Sequence, residues 1–197
     1  MRIASLLVWM VPAAAPVAGA WSPASPQAAS PPKASSDAPG LAVTFQSASG
    51  TDARVARLAA LYVPAGAPPT PFLAPGPFQA LFEGFLTVDL GTECTFLAAG
   101  RGTLEVRVND TVALQARGED FSKTEGTPVF LKKGRNRLVV RYSSPAEGDA
   151  FFRLSWSSQD FPPEPVGPPA VFHDPALSAL ARPGLLRRGL EVLISRR

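Results

Sequence analysis

Cysteine and histidine are nearly missing from this 197-residue chain, which holds one of each. A lone cysteine, Cys94, excludes a disulfide framework, and its apolar neighbours mark it as a buried, inert thiol. His173 has only Asp174 beside it, too few groups for metal binding or proton transfer, and reads as a solvated linker histidine. The sequence also lacks a Gly-x-Ser-x-Gly elbow, a phosphate loop, a His-x-x-x-His and a Cys-x-x-Cys. Hydrolase, nucleotide and zinc chemistry have no motif to rest on, so the chain reads as a non-enzyme.

Charge of one sign is scarce where a nucleic-acid surface would need it. The formal net charge is +3, yet residues 41–160 hold 12 Lys/Arg against 12 Asp/Glu. The excess sits near the end, in Arg182, Arg187, Arg188, Arg196 and Arg197. No basic stripe with interleaved aromatics runs through the middle, so no nucleic-acid partner is expected. Long apolar runs are lacking as well. Residues 3–11 are apolar, but Pro12 and Pro16 end the run before it reaches the length of a membrane span. With Arg2 ahead and Ala18-Gly19-Ala20 behind, residues 1–20 have the form of a secretory signal peptide. An uncleaved N-terminal anchor is the alternative. The expected location is secreted or periplasmic, with no transmembrane segment after the signal.

Proline, by contrast, is plentiful at 22 residues, and its clusters partition the chain. Residues 21–39, rich in Pro, Ser and Ala, read as one linker and residues 161–175 as a second. Six prolines between residues 64 and 77 make an irregular loop. Between the linkers, residues 40–160 (roughly 120) suffice for one domain with its own core. Its rhythm is a period of two, as a half-buried strand requires. Leu138, Val140 and Tyr142 share one face, with Arg137, Val139 and Arg141 on the other. Leu104, Val106 and Val108 repeat the pattern, as do Phe152, Leu154 and Trp156. Val112 and Leu114 join the same expected core on a strand returning from an Asn109-Asp110 hairpin, both residue types tolerating positive φ.

Residues 78–89 and 92–98 add strands. Residues 98–102 read as a glycine-bearing turn, 117–127 as a polar loop and 143–149 as a hairpin connection. Residues 52–63 fit either helix or strand, and Pro64 together with the surrounding pattern favours strand. The fold class is therefore all-β, an antiparallel sandwich. One helix lies outside it, residues 177–194 in a tail that begins at 176, where Leu186, Leu190 and Leu193 share a side.

These strands carry a resemblance. Phe82-Glu83-Gly84-Phe85-Leu86, Thr95-Phe96-Leu97, Leu104-Glu105-Val106-Arg107-Val108-Asn109-Asp110, Leu131-Lys132-Lys133-Gly134-Arg135-Asn136-Arg137-Leu138-Val139-Val140-Arg141-Tyr142 and Phe152-Arg153-Leu154-Ser155-Trp156 resemble the successive signatures of the protective-antigen (PA-14) domain. The resemblance implies a jelly-roll-like β-sandwich. Members include carbohydrate-binding modules of adhesins and glycosidases, which implies a glycan or cell-surface partner. Some hold calcium through two adjacent aspartates after the aromatic strand. Ala98-Ala99 stand there in this chain, and alanine offers no side-chain oxygen to a hard cation, so no calcium and no other metal is expected. The tail is similar, over Leu186-Arg187-Arg188-Gly189-Leu190-Glu191-Val192-Leu193-Ile194-Ser195-Arg196-Arg197, to the first helix of a class I c-type cytochrome. No Cys-x-x-Cys-His is present up to Arg197, so haem c, or a haem domain in cis, is implied only if the chain continues further. An ordinary amphipathic tail is the alternative.

The candidate ligand-binding residues are Arg101 in the glycine-bearing turn, Asn109 and Asp110 in the hairpin, and Glu119 and Asp120 in the polar loop. Glu119 and Asp120 are adjacent, diverge in direction and have no third acid, so they do not make a glycosidase pair. Arg107, Arg137 and Arg141 read as a solvated stripe and Trp156 as core. The expected function is a non-catalytic exported binding or scaffolding module for a glycan or cell-surface ligand. A second expectation is an accessory domain of an extracytoplasmic c-type cytochrome, serving electron transfer. A third is a spacer without ligand.

Overall fold

The computed structural model describes residues 37–122 and 124–179. The expected signal peptide, most of the first linker, the expected tail helix from residue 180 onward and the cytochrome-like run lie outside the described residues. The strands are β1 (Ala38–Pro39), β2 (Leu41–Ser47), β3 (Gly50–Ala56), β4 (Ala60–Val63), β5 (Phe78–Val88), β6 (Thr92–Val108), β7 (Thr111–Gly118), β8 (Val129–Leu131), β9 (Gly134–Ser143), β10 (Ala150–Ser158), β11 (Glu164–Pro165) and β12 (Val171–His173). A short helix, α1 (Pro175–Ala179), follows.

All pairings are antiparallel, and they build two sheets. The first runs β7–β6–β9–β5–β2–β3. Where β2 leaves the edge of β5, β12 takes its place, with β1 outside it. The second runs β8–β6–β10, with β4 and β11 sharing the other edge of β10. The all-β sandwich is thus what the alternation dictates, since each sheet has one apolar face to bury. Phe82 of the first sheet meets Phe152 of the second edge-on at 5.3 Å between ring centroids. Tyr142 reaches the same ring at 5.0 Å.

Strand β6 belongs to both sheets, which corrects the expected turn at residues 98–102. The chain does not reverse there. Gly100 and Gly102 sit at φ 150° and 111°, and the bend they permit carries one 17-residue strand from one sheet to the other. A side chain at Gly100 would strike the carbonyl of Phe151. The connection at 143–149 is likewise no hairpin, because β9 and β10 lie in different sheets. Residues 52–63 are strand as expected, but split between β3 of the first sheet and β4 of the second.

Two expectations about burial are corrected. The alternation predicts Val112 in the core, yet it is 37% exposed. A bulge sets Val106 opposite Leu114 but Arg107 opposite Val112, so Ala113 and Leu114 turn inward instead. His173, expected in solvent, is buried. It closes β12, and its Nδ1 lies 3.1 Å from the Gly40 carbonyl. The proline-rich stretch after Asp160 is drawn into the sandwich by Val166 and Val171, both fully buried. Leu104, Val106, Val108, Leu114, Leu138, Val140, Tyr142, Phe152, Leu154 and Trp156 are all buried, as the alternation predicts.

Candidate ligand-binding face

The period of two that buries Phe152, Leu154 and Trp156 sends Phe151 and Arg153 to the outer face of the second sheet. Across β10, Phe151 stands opposite Tyr62 of β4 on one side and Arg101 of β6 on the other. One step along, Arg153 stands between Ala60 and Ala99. The result is a two-row surface. Tyr62, Phe151 and Arg101 form the upper row, spanning two strand spacings or about 10 Å. Two alanines flank an arginine in the lower row, and their small side chains leave a depression. That open cavity, about 520 Å³, is lined by Ala60, Tyr62, Ala99, Phe151 and Arg153 among others, a size suited to a small ligand. Tyr62 is 64% exposed and Phe151 38%, high values for aromatics on a sheet.

Carboxylates hold both ends of the upper row. Asp149 accepts a hydrogen bond from the Tyr62 hydroxyl (3.0 Å) and another from the Ala65 backbone N–H (2.9 Å). The Ala65 bond first, then the Tyr62 bond, hold its carboxyl below the usual aspartate range, and Arg101 adds a smaller attraction. The same bond pushes the Tyr62 hydroxyl up. At the other end the Arg101 guanidinium pairs with Glu119. The Arg101 backbone is fixed too, its carbonyl accepting the buried Tyr142 hydroxyl at 2.7 Å.

No known family profile matches this chain, and no curated protein matches it by sequence. Solved structures do match it. An anti-sigma factor domain-containing protein from Clostridium clariflavum superposes with a TM-score of 0.59 at 14% identity, over 68% of this chain and 47% of that one. This chain spans about half the length of that relative. A PA14 sugar-binding domain from an RTX adhesin gives a TM-score of 0.56 at 15% identity, over 69% of this chain and 99% of that one. The Epithelial Adhesin 6 A domain of Candida glabrata, solved with Galb1-3GlcNAc, gives 0.56 at 11% identity, over 72% and 90%. The fold is PA14-like.

The PA14-like sandwich separates the five candidate residues into two groups. Arg101, Glu119 and Asp120 lie at one end of β6's second-sheet half. Glu119 is paired as above, and Asp120 accepts the backbone N–H and the hydroxyl of Ser122, each at 2.7 Å. Phe121 between them is buried and donates its N–H to the Gly100 carbonyl. Asn109 and Asp110 lie eight residues further along β6, roughly 26 Å of extended strand. Both adopt positive φ, 48° and 67°, as a tight hairpin demands. Asn109 bonds Asn136 and the Arg137 N–H, and Asp110 pairs with Arg137 at 3.2 Å. The outward arginines of the first sheet are also matched: Arg137 reaches Glu83, and Arg107 and Arg141 both reach Glu105. Ala98 and Ala99 lie within β6 rather than in a loop.

Only Arg101 and Glu119 of the candidates therefore border the exposed aromatic face. Tyr62, Asp149, Phe151 and Arg153 were not among them. Phe151 did carry a signal, being a large apolar residue out of phase with Phe152, Leu154 and Trp156. Tyr62 carried none, because its strand pairs with a partner almost ninety residues away.

Proposed function

We propose that this PA14-like domain is an exported, non-catalytic module that binds a glycan on the outer face of its second sheet. The observation that carries the reading is the exposed row of Tyr62 and Phe151, held between Asp149 and Arg101. Aromatic rings offer flat apolar surface to the C–H face of a sugar, and carboxylate and guanidinium groups at the margins match its hydroxyls. Two of the solved structures sharing the fold support it, a sugar-binding adhesin domain and an adhesin holding a disaccharide. Recognition needs no cation, since the polar groups of the face are side chains of the chain itself, and it is expected to persist in a chelator. The test is a glycan array with the full chain, Tyr62→Ala and Phe151→Ala. Each substitution is expected to weaken binding about tenfold or more, the loss of a central aromatic contact. An array silent for the folded wild type rejects the reading.

The alternative, an accessory domain of an extracytoplasmic c-type cytochrome, is supported by residues 186–197 alone. A reading frame that continues past Arg197 into Cys-x-x-Cys-His would favour it.

A further inference from the structure

We infer that the ligand of this face is a saccharide carrying a carboxylate, of the uronic or sialic acid class, with that group on Arg153. The inference rests on the glycan reading above and goes further, because it names the charge the ligand must bring. Arg153 projects from the central strand of the face into the depression. Its cross-strand neighbours on the outer face are Ala60 and Ala99, neither of which can balance it. Among the described residues its guanidinium makes no ion pair, whereas Arg135, Arg137 and Arg141 on the other sheet each meet a carboxylate. Of the acids bordering the face, Asp149 is engaged by Tyr62 and Ala65 and Glu119 by Arg101, while Glu125, opposite Leu97 at the far edge of β6, makes no ion pair with Arg153. The face thus has one unmatched positive group, sited one step along β10 from Phe151. A sugar ring lying on Phe151 and Tyr62 puts an equatorial carboxylate over the alanine floor, where the guanidinium fork donates two parallel hydrogen bonds to it. A neutral sugar offers this guanidinium only hydroxyls, whose hydrogen bonds lack the charge that strengthens a carboxylate pair.

The experiment compares matched pairs of oligosaccharides, a uronate-containing one and its neutral counterpart, on the full-length wild type, Arg153→Ala, Arg153→Lys and Phe151→Ala, each first shown to melt cooperatively. The expected result is that wild type prefers the uronate by tenfold or more. Arg153→Ala loses that preference, its uronate affinity falling tenfold or more and its neutral-sugar affinity far less, and Arg153→Lys retains part of it. Raising salt from about 50 to 500 mM should erode only the uronate binding, severalfold. Equal binding of both sugars by wild type, with Phe151→Ala weakening both, overturns the carboxylate assignment and leaves the glycan reading standing. A uronate preference untouched in Arg153→Ala overturns the assignment to that residue. Binding of neither class overturns this inference and the reading beneath it together.

Discussion

Asn136 is fully buried, and its amide joins two turns at one end of the first sheet. Its Oδ1 accepts the Lys132 backbone N–H at 2.9 Å and the Asn109 side-chain N–H at 2.8 Å. Its Nδ2 donates to the carbonyls of Lys132 and Gly134, at 2.7 and 3.1 Å. Asn109 in turn accepts the Arg137 N–H and donates its own N–H to the Arg137 carbonyl. The hairpin between β6 and β7 and the turn ahead of β9 are thus tied by one saturated network. Asn136→Ala leaves several of these groups facing a dry interior, and buried unmatched groups cost about 1–3 kcal/mol each. The expected loss is about 2–4 kcal/mol, read from the midpoint of urea unfolding. Asn136→Asp, which loses both donors and sets a buried carboxylate against the Lys132 and Gly134 carbonyls, should lose at least as much at neutral pH. A change for Asn136→Ala below about 0.5 kcal/mol, the range of an ordinary surface substitution, would show that the network is not structural.

Strand β12 shows how an element with weak sequence signals can close a fold. It is three residues long and lies in a run dominated by proline. Val171 pairs opposite Leu86, and the Val171 carbonyl accepts the N–H of Gly40. Gly84 makes the contact possible, since a side chain there would collide with the Phe172 carbonyl and with Leu41. The glycine in Phe82-Glu83-Gly84 was legible, but its cause lay almost ninety residues downstream. The same distinction runs through the whole molecule. Strands with long internal alternation, such as β9 and β10, could be read directly, because their faces are set by neighbours two residues away. The glycines of the β6 bend left a local trace but not its direction, while the bulge at Val112 and the pairing of Tyr62 with Phe151 depend on chain partners far apart, and local pattern carries no trace of them. A chain ending after Gly167 removes β12 and uncovers Leu41 and Leu86, both fully buried in the intact fold. Losing Val171 alone forfeits about 1.5–3 kcal/mol of burial. The truncated chain should melt well below the full one, with earlier amide exchange at β1 and β2. An unchanged melting temperature would mean that the C-terminal strand only decorates the sandwich.

At the scale of the molecule, one core joins the two sheets, so buried titratable groups in either report on a single unfolding transition. Cys94 lies in the second sheet and Tyr142 in the first. Burial pushes the Cys94 thiol up from its ordinary value of 9.0 to about 11, with a smaller contribution from Asp160. Burial pushes the Tyr142 hydroxyl from 10.0 to about 12, opposed in part by a backbone hydrogen bond and by Arg101. Both groups hold their protons more tightly folded than unfolded. Their stabilisation is therefore complete below the unfolded values and is lost as pH rises through the folded ones. Stability should be level from pH 7 to about 8.5 as far as these two groups set it, then decline by about 1.4 kcal/mol per pH unit once the unfolded thiol ionises. The slope should steepen near pH 10, when the unfolded tyrosine follows. Cys94→Ala separates the two, because it removes the first phase and delays the onset to about pH 10, whatever constant loss the smaller side chain adds. Urea unfolding of wild type and Cys94→Ala at half-unit steps from pH 7 to 11 measures both curves. An identical onset in the two proteins would show that the thiol does not ionise on unfolding, and would contradict its burial in a core shared by both sheets.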